Sequence, residues 1–289
     1  MELIPLITEE WKMDAGPCFG VIPKSLWSKV YPEAGDNLLN ICNRLLVVKT
    51  ENRLVLIDTG YGDKQSGKYY QYKYIYKKKE ITEALKEEGI GADEITDVLI
   101  THLHDDHVGG ATKREGEKVT EVFPKARYWV SKAQWNWAHH PNKRERAAYF
   151  PDNHKLLKES GRITFIEQEG EHIPGILFRI YDGHTRGQII PEIGYNDKKV
   201  VYMADFIPSS AHIPLVYIAA VDVEPLKVLK EKEAYLKEAA KDEHILFFGH
   251  DHYFEACTVE ETEKGFVVKE RGTLEEMVEQ RAISSGYGV

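Results

Sequence analysis

The chain holds three cysteines, Cys18, Cys42 and Cys257, none of them in a C-x-x-C pair. An odd count without paired spacing argues against a disulfide framework and fits reduced thiols in a cytoplasmic protein. No apolar run approaches the roughly 20 residues that span a bilayer, so no membrane partner is expected. Met1 to Trp11 contains Glu2, Glu9 and Glu10 and no basic stretch, and does not read as a secretion signal. Positive charge is scarce too: 38 lysines and arginines face 47 acidic residues, a formal net charge of −9. That argues against nucleic acid as a partner, because phosphate binders carry a basic face. There is no G-x-S-x-G elbow and no Ser-His-Asp or Cys-His pattern, so no covalent nucleophile competes for the chemistry. Neither repeat nor linker divides the 289 residues, and a single domain over 1–289 is expected.

What is present alternates strand and helix. Apolar runs at 38–48, 54–57, 97–101, 126–130, 163–166, 176–180, 199–203, 245–248 and 265–269 read as strands. Helices are expected at 81–88, with Thr82 as a plausible cap, at 225–241, opened by Pro225, and near 274–280. The stripe of the 225–241 helix is read as Leu226, Leu229, Tyr235, Leu236 and Ala239. Residues 1–37, punctuated by Pro and Gly, read as an irregular but ordered arm, 111–121 as an exposed charged loop, 132–158 as a helical insertion, and the Ser-Gly end as frayed. Between 62 and 79, five tyrosines interleave with lysines. Such a segment can stack single-stranded nucleic acid, but packed rings with their hydroxyls in water are the simpler expectation.

Four strands end in polar, turn-forming residues of metal-ligand type: His102, His104, Asp106 and His107 after the third, then His184, Asp205 and His250. Five histidines and two aspartates suggest a dinuclear site, with imidazoles for zinc or iron and a carboxylate to bridge. If strand geometry continues past Thr101, His102 and His104 share a face and can share one ion. Asp58, in Asp58-Thr59-Gly60, is either a carboxylate supporting the ligands or a turn former. His139, His140 and His154 lack ligand spacing and are expected to pack or face solvent.

The motif Thr101-His102-x-His104-x-Asp106-His107-x-Gly109-Gly110, followed by Gly183-His184-Thr185, Asp205 and Gly249-His250, resembles the metallo-β-lactamase superfamily over residues 38–252. The resemblance implies an α/β fold, an αβ/βα four-layer sandwich of two mixed sheets with helices outside. It implies one metal on His102, His104 and His184, the other on Asp106, His107 and His250, with Asp205 bridging. It also implies that Asp58 orients the ligands, and that His252 supports the site or lies at the surface. Two divalent ions, zinc before iron or manganese, would hold a hydroxide that attacks a small-molecule substrate, with Asp106 orienting it and passing on its proton.

Within the superfamily the chain looks most like the branch of quorum-quenching lactonases and organophosphate-hydrolase-like enzymes, through residues 13–24, 204–212 and 132–158. About 45 residues between Asp205 and His250 leave no room for a nuclease insertion, and about 37 after His252 are too few for a glutathione-binding tail. The lactonases place a tyrosine three residues after the bridging aspartate; here that residue is Pro208. His212 either takes over that substrate contact or packs. The expected activity is hydrolysis of a lactone or carboxylic ester. A phosphoester or organophosphate hydrolase and a mononuclear iron redox enzyme of the sulfur-dioxygenase kind are the alternatives. A homodimer through the arm and the tyrosine-rich segment is a further implication.

Overall fold

The computed structural model describes residues 1–284; the last five, including the Ser-Gly end, lie outside the described residues. The chain divides into two compact units, each built on a mixed seven-stranded sheet.

The first unit comprises Met1–Met13, Ile41–Gln168 and Thr185–Ile189. Its strands are β1 (Glu2–Asp14), β2 (Leu38–Lys49), β3 (Leu54–Ile57), β4 (Lys77–Lys78), β5 (Asp97–Leu99), a separate hairpin β6 (Thr112–Glu115) and β7 (Lys118–Glu121), then β8 (Arg127–Ser131) and β9 (Ile163–Ile166). The sheet order is β4-β1-β2-β3-β5-β8-β9. β3, β5, β8 and β9 run parallel, which suits their nearly unbroken apolar runs. Buried Asp97 ties three of them together: Arg53 of the β2–β3 turn donates to both its oxygens at 3.0 and 2.8 Å, and Trp129 Nε1 of β8 donates to one at 2.9 Å. Leu45, Leu56, Val98, Phe123 and Tyr128 are among the buried core.

Two expectations need correcting here. Residues 2–14 are a sheet strand and not irregular, and the hidden cause is Glu9, whose charge type breaks the apolar alternation. It is nevertheless buried, accepting hydrogen bonds from Thr8 Oγ1 (2.6 Å), Asn43 Nδ2 (3.0 Å) and the Tyr61 N–H (3.2 Å). The loop expected at 111–121 is the β6–β7 hairpin.

The second unit comprises Asp14–Asn40, Glu169–His184 and the chain from Ile190 onward. Two short helices, α1 (Ala15–Phe19) and α2 (Lys24–Trp27), occupy the arm. The sheet runs in sequence order: β10 (Gly170–Ile173), β11 (Ile176–Tyr181), β12 (Gln188–Tyr195), β13 (Lys198–Tyr202), β14 (Ile245–Phe247), β15 (Ala256–Thr262) and β16 (Gly265–Gly272). β10, β12 and β15 were not expected. In β12, Pro191 disguises the strand; its missing N–H is tolerated because pairing with β13 starts at Glu192.

Between the strands lie α3 (Gly67–Tyr72), α4 (Ile81–Glu87), α5 (Asp105–Val108), α6 (Lys132–His139), α7 (Pro151–Glu159), α8 (Pro225–Lys241) and α9 (Leu274–Ser284). Thr82 lies inside α4, whose N-cap is Glu80 without a side-chain bond. α8 carries the chain between the parallel strands β13 and β14. It buries Val228, Lys232, Tyr235, Leu236 and Ala239, while Leu226, at its exposed first turn, faces solvent.

Candidate metal centre

In the first unit, β5 stops at Leu99, so His102 and His104 stand on a turn leading into the single-turn helix α5 and not on a continuing strand. The turn is held by the end of β3. Asp58 takes a left-handed φ of 59°, which costs a non-glycine residue about 1 kcal/mol. From there its carboxylate accepts from Thr101 N (Oδ1, 2.8 Å), Thr101 Oγ1 (Oδ2, 2.8 Å) and His107 Nδ1 (Oδ2, 2.8 Å). Thr59 donates to the His107 carbonyl through both its N–H (2.7 Å) and its hydroxyl (2.9 Å). The two backbones come so close that a Cβ on Gly109 would sit 2.1 Å from Tyr61 O, and one on Gly110 would sit 2.1 Å from Thr59 O. Asp-Thr-Gly and Gly-Gly are therefore two sides of one contact.

The hydrogen bonds set the tautomers. Thr101 gives its proton to Asp58, so its oxygen accepts from His102 Nδ1 (3.1 Å) and leaves His102 Nε2 as a lone pair. His104 donates from Nε2 to Glu145 Oε1 (3.0 Å), leaving its Nδ1 as a lone pair. Those two nitrogens lie 2.9 Å apart. Two lone pairs at that distance repel unless a cation lies between them, so the donor set fits a metal ion. His107, donating from Nδ1 to Asp58, likewise turns Nε2 toward Asp106 Oδ1, at 3.8 Å. The donors thus form two neighbouring pairs, His102 with His104 and Asp106 with His107.

In the second unit, Ala204, at a strained φ of 42°, aims Asp205 from the end of β13. Its two oxygens are divided between two imidazoles: Oδ2 lies 3.1 Å from His184 Nε2 and Oδ1 lies 2.8 Å from His250 Nε2. His184 donates from Nδ1 to Asp222 at 2.8 Å. Burial alone would lower the His184 pKa, but Asp205 and Asp222 push it up to about 10, the mark of a place that demands positive charge. Asp251, next to His250, fastens this turn by accepting from Ser210 N (2.9 Å), Ser210 Oγ (2.6 Å), Tyr253 N (2.9 Å) and Phe254 N (3.1 Å).

His212 sits apart from this pattern. Its Nε2 donates to Cys18 O at 2.9 Å, its Nδ1 meets Ser209 Oγ at 2.7 Å, and its ring stacks on Phe19 at 4.8 Å. Both nitrogens are taken by the protein, and burial holds its pKa down to about 4. Of the two expected roles, substrate contact or packing, these contacts favour packing. Asp105, the carboxylate of this loop without an assigned role, lies 3.5 Å from Lys73. His154 packs against Trp135 and His139. Of the tyrosines, Tyr69 packs on Tyr61, Tyr70 and Phe150, while Tyr72, Tyr74 and Tyr76 are exposed.

Two carboxylates, the partners of His104 and His184, escaped the sequence reading. Glu145 also accepts from Trp137 Nε1 (2.6 Å), Tyr149 and Thr185; burial would raise its pKa, but these bonds and His104 bring it to about 2. Asp222 sits in the loop before α8. Both lie in stretches with no local periodicity or motif to single them out.

The sequence profile of the metallo-β-lactamase superfamily matches residues 39–250. No curated protein matches the chain significantly. Among solved structures, a probable metal-dependent hydrolase from Staphylococcus aureus is 28% identical, with 94% of this chain and 96% of that one covered at a TM-score of 0.85. AidC, a dizinc quorum-quenching lactonase in complex with a product, is 20% identical, with 92% of each chain covered at 0.76. The hydrolase AbOPH is 19% identical, with 92% of each covered at 0.76. With that profile over most of its length, and with the fold to match, this chain belongs to the metallo-β-lactamase superfamily.

Proposed function

We propose that this metal-dependent hydrolase is dinuclear and acts on a small lactone or carboxylic ester. In this reading His102, His104 and His184 hold one divalent ion, Asp106, His107 and His250 hold the other, and Asp205 bridges them. The observation that carries it is the divided carboxylate of Asp205, one oxygen toward His184 and the other toward His250. Zinc suits a set of five imidazoles and two carboxylates. When bound, such a pair supplies Lewis acidity that brings the pKa of water from ~15.7 toward ~7 and polarises the substrate carbonyl.

The remaining work falls to side chains. Glu145, Asp58 and Asp222 keep the protons of His104, His107 and His184 on the nitrogens that face away from the donor groups. Asp106, partly exposed, is the carboxylate available to accept a proton and release it to the leaving oxygen. The lactone or ester assignment draws on the likeness to AidC, whose complex holds N-hexanoyl-L-homoserine.

Metal analysis with a panel of lactones, aryl esters and phosphotriesters tests the proposal. About two zinc ions per chain with lactone or ester turnover is the expected result; one iron with oxygen consumption would overturn it. Asp205→Ala is expected to lower metal content and abolish activity together. Activity surviving that change would remove the bridging role.

A further inference from the structure

We infer that a pocket in the second unit is a subsite for an anionic tail of the substrate, a carboxylate on a short chain; the inference rests on the hydrolase reading above. The cavity, about 270 Å³, is lined by Asp251, Ser210, Lys29 and Arg271 together with the aromatic Tyr31, Tyr253 and Phe254. Asp251 directly follows His250, and Ser210 lies five residues beyond Asp205, so the pocket wall is continuous in the chain with two of the proposed ligands.

Three observations identify the occupant. First, among the described residues neither Lys29 nor Arg271 forms an ion pair, in a chain whose net charge is −9. The Arg271 guanidinium instead lies 4.0 Å from the Phe254 ring centroid. Stacking on a ring holds a guanidinium in place while leaving its N–H edge free for a carboxylate. Second, the one carboxylate in the wall, Asp251, already accepts four hydrogen bonds from Ser210, Tyr253 and Phe254, so it does not call for either cation. Third, Val30 and Tyr253 are exposed apolar side chains at this wall, suited to a few methylenes. A volume just under the roughly 300 Å³ of the smallest ordinary ligand sites suits a short tail.

The test compares mono-p-nitrophenyl glutarate with the neutral p-nitrophenyl butyrate on the zinc-loaded protein. The expected result is a lower KM for the anionic ester, weakened by salt. Arg271→Gln and Lys29→Gln should each raise that KM roughly tenfold, the scale of one charge-assisted hydrogen bond, with kcat and the neutral ester unchanged. No preference in the native protein, or equal effects on both esters, would overturn the subsite. Should neither ester react, the carboxylic-ester reading fails, and calorimetry with glutarate then reads the pocket by itself. Glutarate binding that weakens in R271Q and K29Q supports the subsite; binding that is absent or unchanged in the variants overturns it.

Discussion

Replacing Asp58 by asparagine probes how the fold prepares a proposed metal ligand, His107. The Asp58 carboxylate is fully buried and accepts from Thr101 N, Thr101 Oγ1 and His107 Nδ1, each at 2.8 Å. Asparagine keeps one acceptor, enough for the Thr101 N–H, and turns an NH₂ toward the other two groups. The Thr101 hydroxyl can rotate. His107 cannot adapt so easily: with a donor opposite Nδ1, its favoured tautomer carries the proton on Nε2, where the lone pair for the metal must be. Binding must then reverse that tautomer and lose a charge-assisted bond of about 1.5–3 kcal/mol. This corresponds to roughly 10–100-fold weaker metal affinity, the range seen when a ligand-orienting carboxylate is removed. Competition with a chelating indicator measures the affinity, and the Tm of the metal-free protein checks the fold. A folded Asp58→Asn protein that binds zinc within about twofold of the native one would refute the tautomer argument.

Lys232 is buried in α8 and its Nζ donates to the carbonyls of Pro214 (2.9 Å), Leu215 (3.4 Å) and Tyr217 (2.9 Å). Lys232→Met leaves these acceptors unpaired and should cost about 3 kcal/mol, seen calorimetrically as a Tm lower by roughly 6–12 °C; an unchanged Tm would show that the carbonyls find other donors. Burial pushes the Glu9 carboxyl from 4.5 up to about 7. The native state thus holds this proton more tightly than the unfolded chain, so the stabilisation is complete below pH 4.5 and is lost as pH rises through 7, to the extent of about 3 kcal/mol. Denaturant titrations from pH 4 to 8 should show a flatter profile for Glu9→Gln than for the native protein; parallel profiles would contradict the burial argument. Asp105→Asn removes the partner of Lys73 but no proposed ligand, and metal content by elemental analysis should stay at the native level. Loss of an ion would give Asp105 a ligand role.

Strands made mostly of apolar residues announced themselves: β3 and β9 stand where the sequence places them, and α8 begins at the proline that suits a helix start. Two others did not. β1 contains Glu9, and β12 contains Pro191; each is a strand because its neighbours supply hydrogen bonds or leave one unneeded, which no local pattern encodes. The same division runs through the candidate centre. Three histidines and two aspartates within six residues are legible because metal-ligand residues at that density are chemically conspicuous. Glu145 and Asp222 are single acidic residues in polar stretches, and only folding brings them against His104 and His184. His212 shows the converse, a histidine in a suggestive place whose two nitrogens the fold spends on Ser209 and Cys18.

The sequence by itself therefore determined the family, the strand-and-helix alternation and the candidate ligands, since these rest on residue type and spacing along the chain. Tertiary structure alone decided which nitrogen of His104, His107 and His184 carries the proton and how the Asp205 oxygens are divided. A tautomer is set by the group that takes the proton, and that group comes from elsewhere in the chain: Asp58 is 49 residues from His107 and Asp222 is 38 from His184.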